Sequence, residues 1–157
     1  MAIIGANGAG KSTLLQQLNG SLLPSSGELR VGGLTLNKAS LPQIRRSVGM
    51  VFQDPDNQLF MPTVLDDVAF GPLNLGLPAA DAEQRARAAL EQVGAWELRD
   101  KPPYLLSGGE KKRVAIATVL SMSPDILAMD EPGSGLDPHA RRQVIALVKN
   151  FRHTRIL

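Results

Sequence analysis

The sequence contains no cysteine, and its 157 residues include only one tryptophan, one tyrosine and four phenylalanines. The absence of cysteine excludes disulfide bonds and zinc sites built from thiolates, and it is typical of a cytosolic protein. No apolar run approaches the roughly 20 residues that a membrane-spanning helix requires. We therefore expect any role at a membrane to depend on a partner protein.

The sequence also lacks a strong charge of either sign. Lys and Arg total 17 against 15 for Asp and Glu, which leaves a formal net charge of +2. That charge is too small to indicate binding to nucleic acid or to an anionic membrane surface, so we expect no nucleic-acid partner. The hydrophobic fraction of 43% and the chain length suit one domain that buries about 68–70% of its unfolded surface.

The first third of the sequence alternates between apolar segments typical of strands and segments with helical spacing. The opening "MAII" predicts a strand that leads through a glycine-rich loop into a helix, where Leu14, Leu15 and Leu18 share one face before Gly20. Two short extended pieces and then a brief helix leading to an apolar strand follow, in "SSGELRVGG", "LTLN" and "LPQIRRSVGMVF".

The remaining sequence is helical at first and then alternates again. From Thr63 to about Met122 the pattern is mostly helical, with Ala86, Leu90 and Val93 on one apolar face. Strand, helix and strand patterns follow in "PDILAMDEP", "PHARRQVIALVKNFRH" and "TRIL". This alternation predicts an α/β fold with a mainly parallel sheet. We expect a single domain over 1–157, with an α/β core of about 1–53 and 123–157 and an inserted helical lobe of about 54–122.

The segment "GANGAGKS" fits the phosphate-loop pattern G-x-x-x-x-G-K-[ST] between the predicted strand and helix. Its glycines let backbone N–H groups turn toward nucleotide phosphates, and the helix that begins near Gly10 adds its positive dipole end. We expect Lys11 to reach the β- and γ-phosphates of ATP and Ser12 to bind Mg²⁺. These residues predict a P-loop NTPase core. The predicted ATP-binding residues of the loop are Asn7, Gly8, Ala9, Gly10, Lys11, Ser12 and Thr13.

Two acidic residues, Asp130 and Glu131, follow the apolar stretch "ILAM" at the carboxyl end of a predicted strand. This is the edge where α/β sheets place their ligand chemistry. We expect Asp130 to hold Mg²⁺ through its water shell and Glu131 to accept a proton from the water that attacks the γ-phosphate. An Asp-Glu-Pro sequence by itself is more often a turn with solvated acids, but the phosphate loop upstream favours the catalytic interpretation.

A second candidate anion site begins at Ser107, where Ser107, Gly108 and Gly109 open a predicted helix. The same residues fit an N-terminal cap in which Glu110 completes a capping box, and the two interpretations are compatible. The stretch "LSGGEKKRVAIA" closely resembles the signature motif of ABC ATPases. "SGLD", which ends at Asp137, resembles the D-loop of that family, with Gly133 where threonine is commoner.

This resemblance implies a particular assembly. In ABC ATPases two copies pair head to tail, and each ATP lies between the phosphate loop of one copy and the signature motif of the other. The resemblance implies that Ser107 and Gly109 contact the γ-phosphate bound to a second ABC ATPase chain, identical or paralogous. It also implies that Gly108 and Asp137 belong to the nucleotide-binding residues.

The run "VFQDPDNQLF" interrupts a hydrophobic strand with polar residues. It resembles the family's Q-loop, so Gln53 is implied to reach Mg²⁺ and the attacking water. The stretch "VFQDPDNQLFMPTVLDDVAFGPLNLGLP" further resembles ATPases of energy-coupling-factor and cobalt or nickel importers. This implies an ATP-hydrolysing subunit, peripheral at the cytoplasmic face of the cell membrane, that powers import of cobalt, nickel or a vitamin.

In such importers the loop after the glutamine meets the transmembrane subunit. Leu59, Phe60 and Met61 are thus implied to form an apolar contact for that subunit. The alternative is that these residues pack the helical lobe onto the core. Trp96 and Tyr104 fit core packing better than base stacking.

Both ends of the sequence differ from the family pattern, and we expect the sequence to be a fragment of a longer reading frame. By analogy with the family's sheet order, "TRIL" lies between the phosphate-loop strand and the Asp130 strand. This predicts an exposed sheet edge. His153 precedes "TRIL" and therefore does not match the family's switch histidine; His139 is predicted to lie on the surface.

Two other functional interpretations stay open. A soluble ABC-type ATPase of DNA repair or translation usually carries a long coiled-coil insertion, zinc cysteines or tandem cassettes, and none is found in this sequence. A nucleotide-binding module that no longer hydrolyses ATP is the other alternative.

Overall fold

The structure is a computed structural model that describes residues 1–151 and 154–157. The α-helices of this range are α1 (Lys11–Leu18), α2 (Leu41–Ser47), α3 (Val64–Asn74), α4 (Ala79–Gln92), α5 (Gly108–Leu120) and α6 (Pro138–Asn150). Its strands are β1 (Arg30–Val31), β2 (Leu34–Thr35), β3 (Val48–Val51), β4 (Ile126–Met129) and β5 (Thr154–Ile156). Short 3₁₀ turns cover Pro55–Asn57, Trp96–Leu98 and Pro103–Leu105. His153 lies outside the described residues.

The central sheet is parallel and has the strand order β3, β4, β5. In the pairing of β3 with β4, Val48 lies opposite Ile126 and Val51 opposite Met129. All residues of β3 are buried, because helices of an α/β fold cover both faces of a parallel sheet. β1 and β2 form a separate antiparallel pair. The predicted α/β class with a parallel sheet is confirmed.

The opening segment "MAII" does not form the regular strand that its apolar character predicts. Three backbone hydrogen bonds nevertheless align it with β5: Met1 N donates to Arg155 O at 2.8 Å, Leu157 N to Met1 O at 3.1 Å and Ile3 N to Leu157 O at 2.7 Å. This alternation follows the pattern of a parallel pair. β5 therefore lies between β4 and the phosphate-loop segment, as predicted. Met1 and Ile4 are 76% and 94% exposed; the predicted open edge stays a prediction.

The core consists of two hydrophobic clusters. The larger cluster joins α3, α4 and α5 to β3 and β4, and it includes the predicted apolar face of Ala86, Leu90 and Val93. The smaller cluster lies under α1 and α2, with Leu15 and Ile44 among its residues. Of the helices in residues 63–122, α5 packs on β3, while α3 and α4 pack on α5 and on each other. The proposed division into a core and an inserted lobe stays a prediction.

The two large aromatic side chains of the helical region differ in their environment. Trp96 packs against the larger cluster, and the guanidinium groups of Arg87 and Arg99 lie 5.1 and 4.7 Å from its ring centre. Tyr104 is 77% exposed, so the prediction that it packs in the core is wrong. In the 3₁₀ turn that holds Tyr104, Pro103 is the buried residue.

None of the described helices is both long and apolar enough to cross a lipid bilayer.

Gly49 allows β3 to approach α5 closely. A Cβ at this position would lie 2.2 Å from Cγ1 of Val119 and 2.8 Å from Cγ of Pro124. We expect Gly49→Ala to lower the free energy of unfolding by about 1–3 kcal/mol, the usual cost of overpacking a core. Chemical denaturation measures this change.

Gly133→Ala is the matched control, because its added methyl group would meet the exposed side chain of Arg141 at 3.1 Å, which is free to move. We expect its effect to stay within about 0.5 kcal/mol. Equal effects of the two substitutions would contradict the close packing of β3 on α5.

Candidate nucleotide-binding site

The phosphate loop adopts a conformation that depends on its glycines. Gly8 and Gly10 have φ angles of 81° and 88°, in the left-handed region that residues with a Cβ rarely adopt. Gly10 immediately precedes α1, whose N-terminus has no side-chain cap and no acidic residue in its first turn. The first N–H groups of a helix have no partner within the helix, so this end of α1 suits an anion.

A cavity of about 340 Å³ opens beside this helix end. Most of its lining comes from the phosphate loop, and two further residues come from the ends of β3 and β4. The lining residues are Asn7, Gly8, Gly10, Lys11, Ser12, Thr13, Gln53 and Glu131. The fold therefore brings six of the seven predicted phosphate-loop residues together with Gln53 and Glu131.

Lys11 crosses the phosphate loop. Its ammonium group donates to the carbonyl oxygens of Gly5 and Ala6, both at 3.0 Å. The carbonyl groups hold the ammonium group at the cavity, where phosphate oxygens would be stronger acceptors because they carry charge. Ala9 belongs to the predicted set but does not line the cavity; its N–H donates to Ala6 O at 3.2 Å in a turn of the loop.

Gln53 and Glu131 meet across the sheet edge. Nε2 of Gln53 donates to Oε2 of Glu131 at 3.0 Å, although 78 positions separate the two residues. Glu131 has a φ angle of 43°, a backbone conformation that costs about 1–3 kcal/mol for a residue other than glycine. Such strain is found at functional sites, and here it directs the carboxylate of Glu131 to the cavity.

Asp130 lies behind this cavity. It is 6% exposed and lines an adjoining cavity of about 250 Å³ that shares Lys11 and Glu131 with the first. Its N–H donates to Val51 O at 3.0 Å, while its carboxylate forms no hydrogen bond within the described part of the chain. The carboxylate is therefore available to a cation.

The available oxygen atoms fit Mg²⁺. Ser12 contributes a hydroxyl group, Gln53 an amide oxygen, and Asp130 and Glu131 carboxylates. Mg²⁺ prefers such hard oxygen ligands and is usually bound by one or two carboxylates together with substrate phosphates. The described residues contain no cluster of three or more His, Cys, Asp or Glu side chains that could hold a metal ion.

The residues of the signature motif lie away from the cavity around Lys11. Ser107 is the N-cap of α5 and forms a complete capping box with Glu110: Ser107 N donates to Oε2 of Glu110 at 2.8 Å, and Glu110 N donates to Oγ of Ser107 at 3.4 Å. Ser107 and Gly108 are exposed, and Gly109 is half-buried. None of these three residues lines the cavity around Lys11. Their predicted role in a phosphate site of a partner chain stays a prediction.

Asp137 also lies away from the cavity. It is the N-cap of α6, where its Oδ1 accepts from the N–H groups of His139 and Ala140 at 2.8 and 3.1 Å. These backbone hydrogen bonds lower the pKa of Asp137. His139 is exposed, as predicted.

Comparisons with known proteins identify the family. The sequence profile of the family described as ABC transporter matches residues 1–134. The chain belongs to the ABC transporter family. A putative ABC transporter ATP-binding protein of Geobacter sulfurreducens is 66% identical over 157 residues, which are 100% of this chain and 63% of that protein. The energy-coupling factor transporter ATP-binding protein EcfA1 of Methanospirillum hungatei is 50% identical over 151 residues, 96% of this chain and 54% of that protein.

Solved ABC structures share the fold. The cbiO1 protein of Clostridium perfringens, part of the ABC transporter complex cbiONQ, superposes with a TM-score of 0.86 at 45% identity, over 99% of this chain and 64% of its own. A dimeric ATP-binding cassette, solved in a post-hydrolysis state with ADP and Pi, superposes with a TM-score of 0.85 at 28% sequence identity. The match covers 99% of this chain and 72% of the cassette. The predicted family and P-loop NTPase fold are confirmed. The chain spans about half to two thirds of the length of the curated relatives it matches.

Two buried charged residues were not identified from the sequence. Lys112 is 1% exposed and Asp67 is 4% exposed. A signal for Lys112 existed, because it lies at helical spacing with the buried Ala115, Ile116 and Val119 of α5. A charged residue on the apolar face of a predicted helix is a candidate for a specific polar contact.

The capping box is expected to make the stability of the folded protein depend on pH. The hydrogen bonds from Ser107 lower the pKa of Glu110, so the charge of Glu110 stabilises the folded state. That contribution is complete above the ordinary pKa of glutamate and is lost as the pH falls through the lowered folded-state pKa. We expect the difference in unfolding free energy between the wild type and Glu110→Gln to shrink as the pH falls from 7 into the acidic range.

Denaturation at a series of pH values measures this difference. Glu83→Gln on the exposed face of α4 is the control, because no capping hydrogen bond involves Glu83. A wild-type advantage over Glu110→Gln that grows toward acid would contradict the capping box.

Proposed function

We propose that the protein is the ATP-hydrolysing subunit of an ABC importer of the energy-coupling-factor type. The observation that carries the proposal is the cavity in which Lys11 and Ser12 of the phosphate loop face Gln53 and Glu131. The relatives named as energy-coupling factor ATP-binding protein and as part of cbiONQ support the importer type.

In this proposal the nucleotide phosphates bind at the N-terminus of α1. Lys11 exchanges the carbonyl groups of Gly5 and Ala6 for phosphate oxygens, so its charge offsets the charge that develops on the transferred group. Ser12, Gln53 and Asp130 would hold Mg²⁺, which would neutralise further phosphate charge. Glu131 accepts the proton of the attacking water, and the amide of Gln53, already bonded to Glu131, orients that water.

A second chain completes the site in this proposal. Ser107 and Gly108 are exposed at the N-terminus of α5. The capping box engages the N–H groups of Ser107 and Glu110 and not those of Gly108 and Gly109, so this helix end still suits a phosphate. With Gly109 and Asp137, Ser107 and Gly108 would contact the ATP of a head-to-tail partner, identical or paralogous. The relative solved as a dimer with ADP and Pi supports this arrangement.

We propose that a transmembrane subunit binds in a groove that borders Gln58, in the loop that follows Gln53. The groove has a volume of about 620 Å³ and includes Phe60, Phe70 and Met122 in its lining. Phe60 is 65% exposed, and its ring meets that of Phe70 edge to face at 5.0 Å. Exposed aromatic residues at a groove of this size suit a helix of a partner protein. The chain would thus be held peripherally at the cytoplasmic face of the membrane.

Of the three predicted contact residues, Phe60 lines this groove, Met61 is half-buried and does not line it, and Leu59 is buried. It is 8% exposed and belongs to the larger core cluster, so for Leu59 the packing alternative is correct. Asp67 explains the arrangement, because its Oδ1 accepts from the N–H groups of Phe60 and Met61 at 3.0 and 3.1 Å. This contact turns Leu59 inward and leaves Phe60 at the surface.

The cargo in this proposal is a transition-metal ion such as cobalt or nickel, or a vitamin. This part of the proposal rests on the sequence resemblance of the stretch from Val51 to Pro78. Uptake of labelled cobalt, nickel and vitamins into vesicles that contain the purified assembly and internal ATP distinguishes these cargoes.

Substitution of Glu131 tests hydrolysis. We expect Glu131→Gln to lower the turnover number for ATP by about 10²–10⁴-fold, the usual contribution of a general base, while nucleotide binding is retained. Phosphate release with Mg²⁺ and binding of a fluorescent ATP analogue measure the two properties. Wild-type turnover in Glu131→Gln would remove Glu131 from the chemistry, and a wild type that binds ATP without turnover would favour the non-hydrolysing alternative.

Substitution of Phe60 tests the membrane partner. We expect Phe60→Asp to abolish co-purification with the transmembrane subunit, because a charge in an apolar contact must be desolvated. ATP binding should be unchanged, since Phe60 does not line the nucleotide cavity. Leu23→Asp is the control, as Leu23 is 53% exposed and lies outside the groove. Retention of the subunit by Phe60→Asp would place the docking surface elsewhere.

A further inference from the structure

Lys112 is a buried lysine that binds backbone carbonyl groups. Its side chain is 1% exposed, and its ammonium group donates to Gln53 O at 2.6 Å and to Phe52 O at 3.3 Å. Both carbonyl groups belong to the segment that carries Gln53 to the nucleotide cavity. Lys112 itself lies in the second turn of α5, the helix that begins with the signature residues.

Burial destabilises the charged form of Lys112. At 1% exposure the ammonium group of Lys112 has lost nearly all of its water, and removing a charge from water costs free energy. An apolar side chain of similar length would fill the same space without this cost, as substitution of buried charges in other proteins indicates. Packing alone therefore does not account for a lysine at this position.

A second contact binds the same segment to the same helix. Nε2 of Gln58 donates to Ala115 O at 2.8 Å and to Oγ1 of Thr118 at 2.7 Å. Oε1 of Gln58 accepts from Phe52 N at 3.2 Å. The loop of residues 52–58 is thus bound to α5 at both of its ends.

We propose that Lys112 is a positioning residue that couples α5 to the hydrolytic site by holding the backbone of Gln53. The connection is continuous: the carbonyl group of Gln53 contacts Lys112, and the amide group of Gln53 contacts Glu131 at 3.0 Å. A shift of α5 when its N-terminus meets a phosphate of a partner chain would then move Gln53 relative to Glu131. This inference rests on the proposed ATPase function.

Kinetics of Lys112→Met test the coupling, with Lys111→Met as the matched control. Lys111 is the preceding residue of α5 and pairs with Asp56 at 2.6 Å at the more exposed side of the loop. In the full-length protein, we expect Lys112→Met to lower kcat for ATP by roughly 10-fold with little change in KM, since a small displacement of a catalytic group slows chemistry more than binding. Lys111→Met should retain the wild-type kcat.

Thermal denaturation accompanies the kinetics. We expect Lys112→Met to melt at or above the wild-type temperature, because the substitution removes a buried charge. A large fall in melting temperature together with the loss of activity would overturn the proposal in favour of a purely structural role.

A double-mutant cycle with Gln53→Ala identifies the route of the effect. If Lys112 acts through Gln53, Lys112→Met should lower kcat no further, within about twofold, once Gln53 is replaced by alanine. Independent effects that multiply in the double mutant would overturn the proposal.

Hydrogen exchange separates this inference from the proposed ATPase function. Lys112→Met should speed amide exchange in residues 53–58 of the nucleotide-free protein. Lys111→Met should have a smaller effect there, because its partner Asp56 is largely exposed to solvent. If the wild type has no ATPase activity, the proposed function is wrong, but exchange still reports on the contact. Exchange in residues 53–58 that is unchanged by Lys112→Met would overturn the proposal.

Discussion

The register between β3 and β4 determines the geometry of the site. Val51 lies opposite Met129 in a parallel pair, and parallel pairing keeps residues beyond the two strand ends in step. Gln53 and Glu131 each follow those residues by two positions, and their side chains meet at 3.0 Å. A shift of one residue would direct these side chains to opposite faces. The candidate hydrolytic pair is therefore a direct consequence of strand pairing in the core.

Helix α5 connects the separate parts of the protein. Its N-terminus carries the capping box of Ser107 and Glu110, its apolar face packs on the sheet through Ile116 and Val119, and Lys112 reaches the backbone of Gln53. One rigid element thus bears an exposed helix end, a core surface and a polar contact to the site. A rigid helix transmits a displacement at one end to contacts along its length.

Two buried charges organise the surface beside the site. Lys112 holds the start of the Gln53 loop, and Asp67 holds the backbone at Phe60 and Met61. Burial raises the pKa of Asp67, and its Oδ2 has no hydrogen-bond partner among the described residues. Unsatisfied buried oxygen atoms are costly. This unfavourable oxygen lies where the loop passes from the nucleotide cavity to the proposed groove for the transmembrane subunit.

Local features of the site could be predicted from the sequence, because each depends on neighbouring residues. The phosphate loop requires Gly8 and Gly10 at left-handed φ angles next to Lys11, and the capping box requires only Ser107 and Glu110, three positions apart. The alternation of apolar segments was sufficient for the fold class. The assignment of Tyr104 to the core was wrong, because the burial of a side chain depends on residues far away in the sequence.

The tertiary structure alone decided the contacts between residues far apart in the chain. The hydrogen bond between Gln53 and Glu131, the contact of Lys112 with Gln53 and the burial of Leu59 beneath an exposed Phe60 all depend on how α3, α5 and the sheet pack. The left-handed backbone of Glu131 likewise has no sequence signal, since it is imposed by the surrounding fold. Sequence therefore determined which chemical groups are present, and packing determined which of them meet, because the energy of long-range contacts depends on the complete fold.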